Sequence, residues 1–131
     1  MGASKKQRAE KLKAQKEGLC VARLNNCPTS PRKMRLVADI IRGEEVFKAL
    51  SILQYTNKDA ARRLEKLLRS AISNWEQKNE GNSPEQAGVF VKEIQVDSAR
   101  ILKRIQPRAQ GRAFRIKKRS NHVKLVLDHQ N

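Results

Sequence analysis

Nine cationic side chains occupy residues 100–119, and no acidic side chain lies among them. Six of the nine are arginines, whose planar guanidinium groups bind phosphate in bidentate fashion and stack on bases. Neutralising phosphates releases counterions, so nucleic acid is the partner that such a segment favours. The cations are Arg100, Lys103, Arg104, Arg108, Arg112, Arg115, Lys117, Lys118 and Arg119.

A second group of cations falls in residues 30–43. Arg32, Lys33, Arg35 and Arg42 lie off the apolar stripe of a predicted helix, whose N-terminal N–H groups offer further donors to phosphate. An ordinary solvated helix face explains the same pattern, and the residues alone leave both interpretations open. We expect four later cations to be mostly solvated. They are Arg62, Arg63, Lys66 and Arg69.

The charge of the whole chain points the same way. Lys and Arg number 29 against 13 acidic residues, a net charge of +16 over 131 residues. Such a surface repels itself and attracts polyanions. An anionic membrane is a poor candidate, because the basic segment lacks a broad apolar face and no apolar stretch approaches the roughly 20 residues of a membrane span. Without a secretory signal, we expect a cytoplasmic protein that has no membrane partner.

Residue types that serve catalysis or metal binding are sparse. His122 and His129 have no Cys or carboxylate at a ligand spacing, so no metal site is predicted. In an extended segment Cys20 and Cys27 would lie about 23 Å apart, too far for a disulfide, and we expect two reduced apolar side chains. Phosphate-binding loops, dinucleotide motifs and nucleophile motifs are missing. We therefore expect no enzyme activity, no cofactor and no small-molecule substrate.

Residues 1–18 form a basic tail with six cations, two acids and only a thin apolar stripe. This composition indicates a segment that is disordered when free or ordered by a partner. Gly18 separates the tail from a single α+β domain predicted at residues 19–131, since the chain length suits one domain with appendages.

Apolar residues at helical spacing predict three helices between residues 31 and 79. The first starts at Pro31, which suits the first helical position, and stops at Gly43. The second opens with Glu44, which favours the positive end of the helix dipole. Thr56 and Asp59 have the spacing of a capping box for the third helix.

Alternating and β-branched residues predict strands at 19–27, 89–97 and 121–128. The basic segment lies between the last two, and its Pro and Gly residues near position 110 predict a turn. A hairpin arm at about 98–117 follows, with a reach of about 40 Å. The predicted fold is α+β, with three helices packed on a small antiparallel three-stranded sheet and a long protruding β-hairpin.

Three stretches of the chain resemble one family. They are SPRKMRLVADIIRG (30–43), LLRSAISNWEQKN (67–79) and LKRIQPRAQGRAFRIKKRSNHVKLVL (102–127). Together they are similar to the bacterial-type large-subunit ribosomal protein twenty-two family, over about residues 19–128. Positions 99 and 100 read Ala-Arg, where the family usually has Gly-Pro.

The resemblance implies a structural protein of the large ribosomal subunit that binds 23S-type ribosomal RNA and takes part in early subunit assembly. It implies that the hairpin tip lines the nascent-peptide exit tunnel, beside neighbouring large-subunit proteins and, transiently, the nascent peptide. The implied tunnel-lining residues are Lys103, Arg104, Gln106, Pro107, Arg108, Ala109, Gln110, Gly111 and Arg112.

A DNA-binding protein that uses the first two helices is the rival interpretation. It is disfavoured because the two helices join almost directly at Gly43 and the cations concentrate on the arm instead. An enzyme would require a catalytic residue such as Glu93 or His122, and we expect no turnover to depend on either.

Overall fold

The computed structural model describes residues 2–129. In chain order its elements are α1 (Gly2–Gly18), β1 (Cys20–Cys27), α2 (Pro31–Ile41), α3 (Val46–Tyr55), α4 (Asp59–Lys78), β2 (Val89–Ser98), β3 (Leu102–Pro107), a 3₁₀ turn (Ala109–Gly111), β4 (Ala113–Lys118) and β5 (Asn121–His129).

Strands β1, β5 and β2 form an antiparallel sheet in that order, so β5 is central. Alternate residues of β5 point to one face, and on that face Val123, Leu125 and Leu127 are all buried. Strands β3 and β4 pair only with each other, as a separate two-stranded sheet. The predicted three-stranded sheet with a hairpin that emerges from its last two strands is confirmed.

Helices α2, α3 and α4 bury their apolar faces in one core with the sheet. Helix α2 packs beside β2, and α4 packs across β1 and β5. The core is almost wholly aliphatic, and Trp75 is the aromatic residue buried in it. The predicted α+β class is therefore confirmed, with α2, α3 and α4 in the place of the three predicted helices.

The helix boundaries agree with part of the predicted signals. Pro31 is the first residue of α2, and Gly43 adopts a φ of +80° just after the helix. The capping-box prediction is wrong. Thr56 instead ends α3, where its hydroxyl donates to the carbonyl of Ile52 at 2.7 Å, and Lys58 precedes α4 without a side-chain capping bond.

The turn after α2 covers the free edge of β2. The Gly43 amide donates to the Val91 carbonyl at 2.8 Å, and the Val91 amide donates to the Glu44 carbonyl at 3.0 Å. Pairing of this kind protects an edge strand from pairing with another chain.

Helix α1 corresponds to the predicted basic tail. All of residues 4–14 are exposed, and Leu12 is the large apolar side chain among them. A polar helix of this length is marginal in water unless it packs on a partner. The order of this tail in the free protein stays a prediction. Among residues 2–129, no helix combines the length and apolar content that crossing a membrane requires.

Candidate nucleic-acid interface

The arm is a regular antiparallel ribbon. Its register runs from the Leu102–Lys118 pair to the Pro107–Ala113 pair without interruption. Side chains in a ribbon alternate between its two faces, so the cations of both strands are divided between the faces. Both faces of the arm therefore carry positive charge.

The tip is closed by backbone bonds and left-handed residues. The Arg108 amide donates to the Arg112 carbonyl at 2.8 Å, and Gln110 and Gly111 adopt φ angles of +61° and +70°. Gly111 takes this conformation at little cost, whereas a residue with a Cβ is strained there. The predicted turn lies at these residues.

Arm residues have almost no protein around them. Every residue from Leu102 to Arg115 is exposed, and Ile105 keeps 71% of its surface in solvent. Within residues 2–129, none of the recorded ion pairs includes an arm cation. The charged groups are thus available to an external anion.

Internal contacts of the arm are few. Lys103 and Lys117 lie directly opposite each other, and like charges at such positions destabilise a ribbon. The guanidinium of Arg108 lies 5.7 Å from the ring centroid of Phe114, a cation–π contact at an exposed site. One such contact near the tip does not offset the repulsion along the strands.

The base of the arm is anchored by hydrogen bonds rather than by a Gly-Pro bend. The Ala99 amide donates to the Ser120 carbonyl at 2.9 Å, and pairing is interrupted between Ser98 and Leu102. Next to this break the fully buried Asn121 donates through Nδ2 to the Thr29 carbonyl at 2.6 Å. The junction between the body and the arm is thus held by hydrogen bonds, although residues 99–100 are Ala-Arg and not Gly-Pro.

The α2 cations divide into two groups. Arg35 donates through Nε and Nη2 to the Val96 carbonyl, and Arg42 donates to the Ile94 carbonyl at 3.1 Å. These two side chains link α2 and the residue that follows it to β2. The sequence did not predict this structural role, because both residues lie off the apolar stripe of the helix. Arg32 and Lys33 are exposed.

One cleft brings the two predicted cationic groups together. It has a volume of about 400 Å³, and it lies between the start of α2 and the base of the arm. Arg32 and Arg35 come to it from α2, and Arg119 comes from the segment between β4 and β5. Three guanidinium groups beside a helix N-terminus form a cationic environment that suits phosphate.

A third cationic cluster includes three α4 cations that the sequence analysis expected to be mostly solvated. Arg62, Arg63 and Lys66 of α4 line a larger cleft with Arg23 of β1. The sequence indicated helix-face cations only, because the cleft exists through the packing of α4 on β1. Its Arg63 has a raised pKa, chiefly because it donates a hydrogen bond to Asp59 at 3.0 Å.

The histidine and cysteine side chains of the body have structural positions. His122 accepts a hydrogen bond at Nδ1 from the Asn26 amide at 3.0 Å. Burial raises the pKa of the Cys20 thiol, and both Cys20 and Cys27 are free and buried. Across residues 2–129 we find no group of three or more potential ligands that could hold a metal ion.

An outward-facing ion pair joins β2 to β5. Lys92 Nζ lies 2.5 Å from Asp128 Oδ2, and this hydrogen bond holds the pKa of the Asp128 carboxyl below its usual value. The pair is partly exposed, so its contribution to stability is small.

The sequence is similar to those of known proteins. The model of the family "Ribosomal protein L22p/L17e" matches residues 22–128. The large ribosomal subunit protein uL22 of Christiangramia forsetii is 60% identical over 131 residues, which are all of this chain and 97% of that protein. The proteins of the same name from Parabacteroides distasonis and Flavobacterium johnsoniae are 59% and 58% identical, and each alignment covers 93% of the relative.

These matches cover the arm, the α2 cations and the whole sheet, and the first alignment extends through the basic tail as well. The family model spans well over half of the chain. The resemblance inferred from the three sequence stretches is confirmed, and the chain belongs to the ribosomal protein L22p/L17e family.

Proposed function

We propose that the chain is a structural constituent of the large ribosomal subunit and binds large-subunit ribosomal RNA of the 23S type. The observation that carries this proposal is the arm: a ribbon with cations on both faces, no acids and almost no protein around it. The relatives named as large ribosomal subunit proteins support the same function.

The binding mechanism is charge neutralisation combined with shape. Arginine and lysine side chains on both faces of the ribbon bind phosphates of RNA strands that surround it. Arg108 and Phe114 also offer flat surfaces to unstacked bases near the tip. The α2 cations Arg32 and Lys33, with the cleft at the arm base, extend the contact to the body.

The tip, Gln106–Arg112, lines the tunnel through which the nascent peptide leaves. Exposed polar side chains and the small residues Ala109 and Gly111 leave room for a passing chain. Lys103 and Arg104 lie just behind the tip, beside the narrow part of that passage. Contact with the nascent peptide is transient.

Binding early in subunit assembly follows from the same physics. An arm enclosed by RNA must be in place before the RNA closes around it. The protein therefore acts in the cytoplasm, beside RNA and neighbouring large-subunit proteins, as a scaffold without catalytic turnover.

Deletion of residues 101–114 tests the arm assignment. Large subunits are purified from cells that express the variant without residues 101–114. Cross-links between this variant and a stalled nascent peptide are then measured through a photoreactive residue in the peptide. We expect the body to enter subunits at reduced occupancy and the tunnel cross-links to vanish. Unchanged cross-links at the same tunnel depth contradict the assignment.

A matched control removes equal charge elsewhere. The deletion removes four cations, and replacement of four α1 cations by Gln removes the same number while the arm stays intact. The control should retain the tunnel cross-links. Loss of cross-links in both chains would show that net charge, and not the arm, determines the contact. The replaced residues are Lys5, Lys6, Arg8 and Lys11.

A further inference from the structure

A cleft of about 640 Å³ lies between the end of β1 and the first half of α4, at the opposite edge of the sheet from the α2 cations. One wall is Asn25–Pro28, and the other is the face of α4 that carries Arg62, Lys66 and Ser70. This volume falls within the usual range for sites that hold a small molecule or a nucleotide.

Charge in the cleft has one dominant sign. Arg23, Arg62, Arg63 and Lys66 line it, and Asp59 is the single acid among the lining residues. Asp59 is already bonded to Arg63 at 3.0 Å. The other three cations are exposed, and no carboxylate partner is recorded for them in the described part of the chain. An external anion is the counterpart that this arrangement lacks.

A β-bulge shapes the opposite wall. The register with β5 shifts between Leu24 and Cys27, so Asn25 and Asn26 together face a single residue, His122. Asn26 adopts a φ of +53°, and its amide donates to His122 Nδ1. Both asparagine side chains are exposed, and amide side chains can hydrogen-bond to the edges of an unstacked base.

The cleft shares one lining residue with a cleft at the base of the arm. Asn26 lines a second, smaller cleft of about 240 Å³ together with Arg100, Ile101 and Leu102 at the arm base. Cationic groups therefore extend from α4 past the bulge to the arm. A single RNA strand could contact both regions without leaving positive surface.

We propose that the cleft between β1 and α4 is a second RNA-binding site, which holds a phosphodiester and an unpaired nucleotide; this proposal deepens the proposed function and rests on it. Arg62 and Lys66 bind the phosphate, and Asn25 and Asn26 contact the base. An RNA strand suits the site better than an acidic peptide, because the site combines base-reading amides with a lining residue shared with the cleft at the arm base.

The test is the salt dependence of RNA binding. The full chain and the variant Arg62→Gln/Lys66→Gln are titrated against large-subunit ribosomal RNA transcribed in vitro. Each lost phosphate contact lowers the slope of log K against log salt by about 0.7–0.9. Because Arg62 and Lys66 share one phosphate, we expect the magnitude of the slope to fall by about 0.8 and the affinity to be roughly fivefold weaker near 0.15 M salt.

The matched control is Lys48→Gln/Arg69→Gln. It removes the same charge, but these cations already pair with Glu44 at 2.7 Å and Glu65 at 2.8 Å. We expect its slope to change by less than half as much. If the two variants give equal slopes of log K against log salt, the cleft proposal is overturned. That result would mean that the cleft holds no RNA phosphate and is occupied by an acidic protein or by solvent. If the unaltered chain does not bind the RNA, the proposed function itself fails.

A tethered cleavage reagent gives an independent test. Both native cysteines are buried, so a single exposed cysteine placed by Ser70→Cys takes an iron chelate selectively. In the complex with the same RNA, the chelate should cut the strand at a discrete position. Cleavage no stronger than that from free chelate overturns the proposal.

Discussion

The body and the arm both contain antiparallel strands, but the strands of the body are buried by neighbouring elements and those of the arm are exposed. In the body, β5 lies between two partner strands and against helices α2 and α4, and Leu125 keeps none of its surface exposed. In the arm, β3 and β4 have only each other, and Leu102 keeps 51% exposed. The body is stabilised by burial, whereas the arm has little to bury.

This difference indicates where the order of each region originates. A two-stranded ribbon alone is marginally stable in water, and repulsion among its cations lowers its stability further. In the function proposed above, surrounding phosphates supply what the arm lacks, because they turn repulsion into attraction. On that proposal the sequence specifies the arm and RNA completes its order.

The largest expected effect comes from removing the arm charge. Replacement of six arm cations by Gln should weaken binding to large-subunit ribosomal RNA about 1000-fold near 0.15 M salt, since about six phosphate contacts are lost. Urea unfolding of the body should stay the same. A loss below tenfold, measured by filter binding, contradicts the role of the arm. The six are Lys103, Arg104, Arg108, Arg112, Arg115 and Lys117.

Leucine truncation compares the two regions directly. Leu68 is fully buried in α4, so Leu68→Ala should lower the free energy of unfolding by about 3 kcal/mol. Leu102→Ala on the exposed arm should change it by less than about 0.5 kcal/mol. Urea titrations followed by circular dichroism measure both. Comparable losses would mean that the arm shares the core of the body.

The junction between the two regions depends on Asn121. Asn121→Ala leaves the partly buried Thr29 carbonyl without its donor and should cost about 1–2 kcal/mol of stability. Ser120→Ala is the control, because the Ser120 carbonyl that accepts from the Ala99 amide is retained. Thermal unfolding distinguishes the two variants, and an equal effect would remove the special role of the Asn121 side chain.

The smallest expected effect is that of Lys103→Glu, which acts in opposite directions on the stability of the free arm and on RNA binding. Lys103→Glu replaces a like-charge pair with an attraction to Lys117, which should stabilise the free ribbon by about 0.5 kcal/mol. The same change should weaken RNA binding, because a phosphate contact becomes a repulsion. Arm amide chemical shifts and filter binding measure the two results. Tighter binding would show that the order of the arm in the free chain, and not its charge, limits its affinity for RNA.

Much of the fold follows from the sequence. The alternating residues of β5 and the helical spacing in α2 reflect local periodicity, which one stretch of chain carries by itself. The arm could also be predicted from the sequence, because a run of cations without acids on either side of a turn is a local pattern that can be recognised without tertiary contacts.

The rest depends on contacts between distant residues. Thr56 has a capping-box spacing, yet it ends α3, because the packing of α3 and α4 decides where each helix begins. Arg35 and Arg42 looked like free phosphate ligands, but both bond to carbonyls of β2. The α4 cleft is likewise formed only when α4 meets β1, which local periodicity does not encode.

Hydrogen–deuterium exchange of the arm, in the free chain and in its complex with large-subunit ribosomal RNA, tests the central claim most directly. We predict that amides of residues 102–118 exchange fast in the free chain and become protected on binding, while those of β5 are protected in both states. Arm protection equal to that of β5 in the free chain would contradict the account.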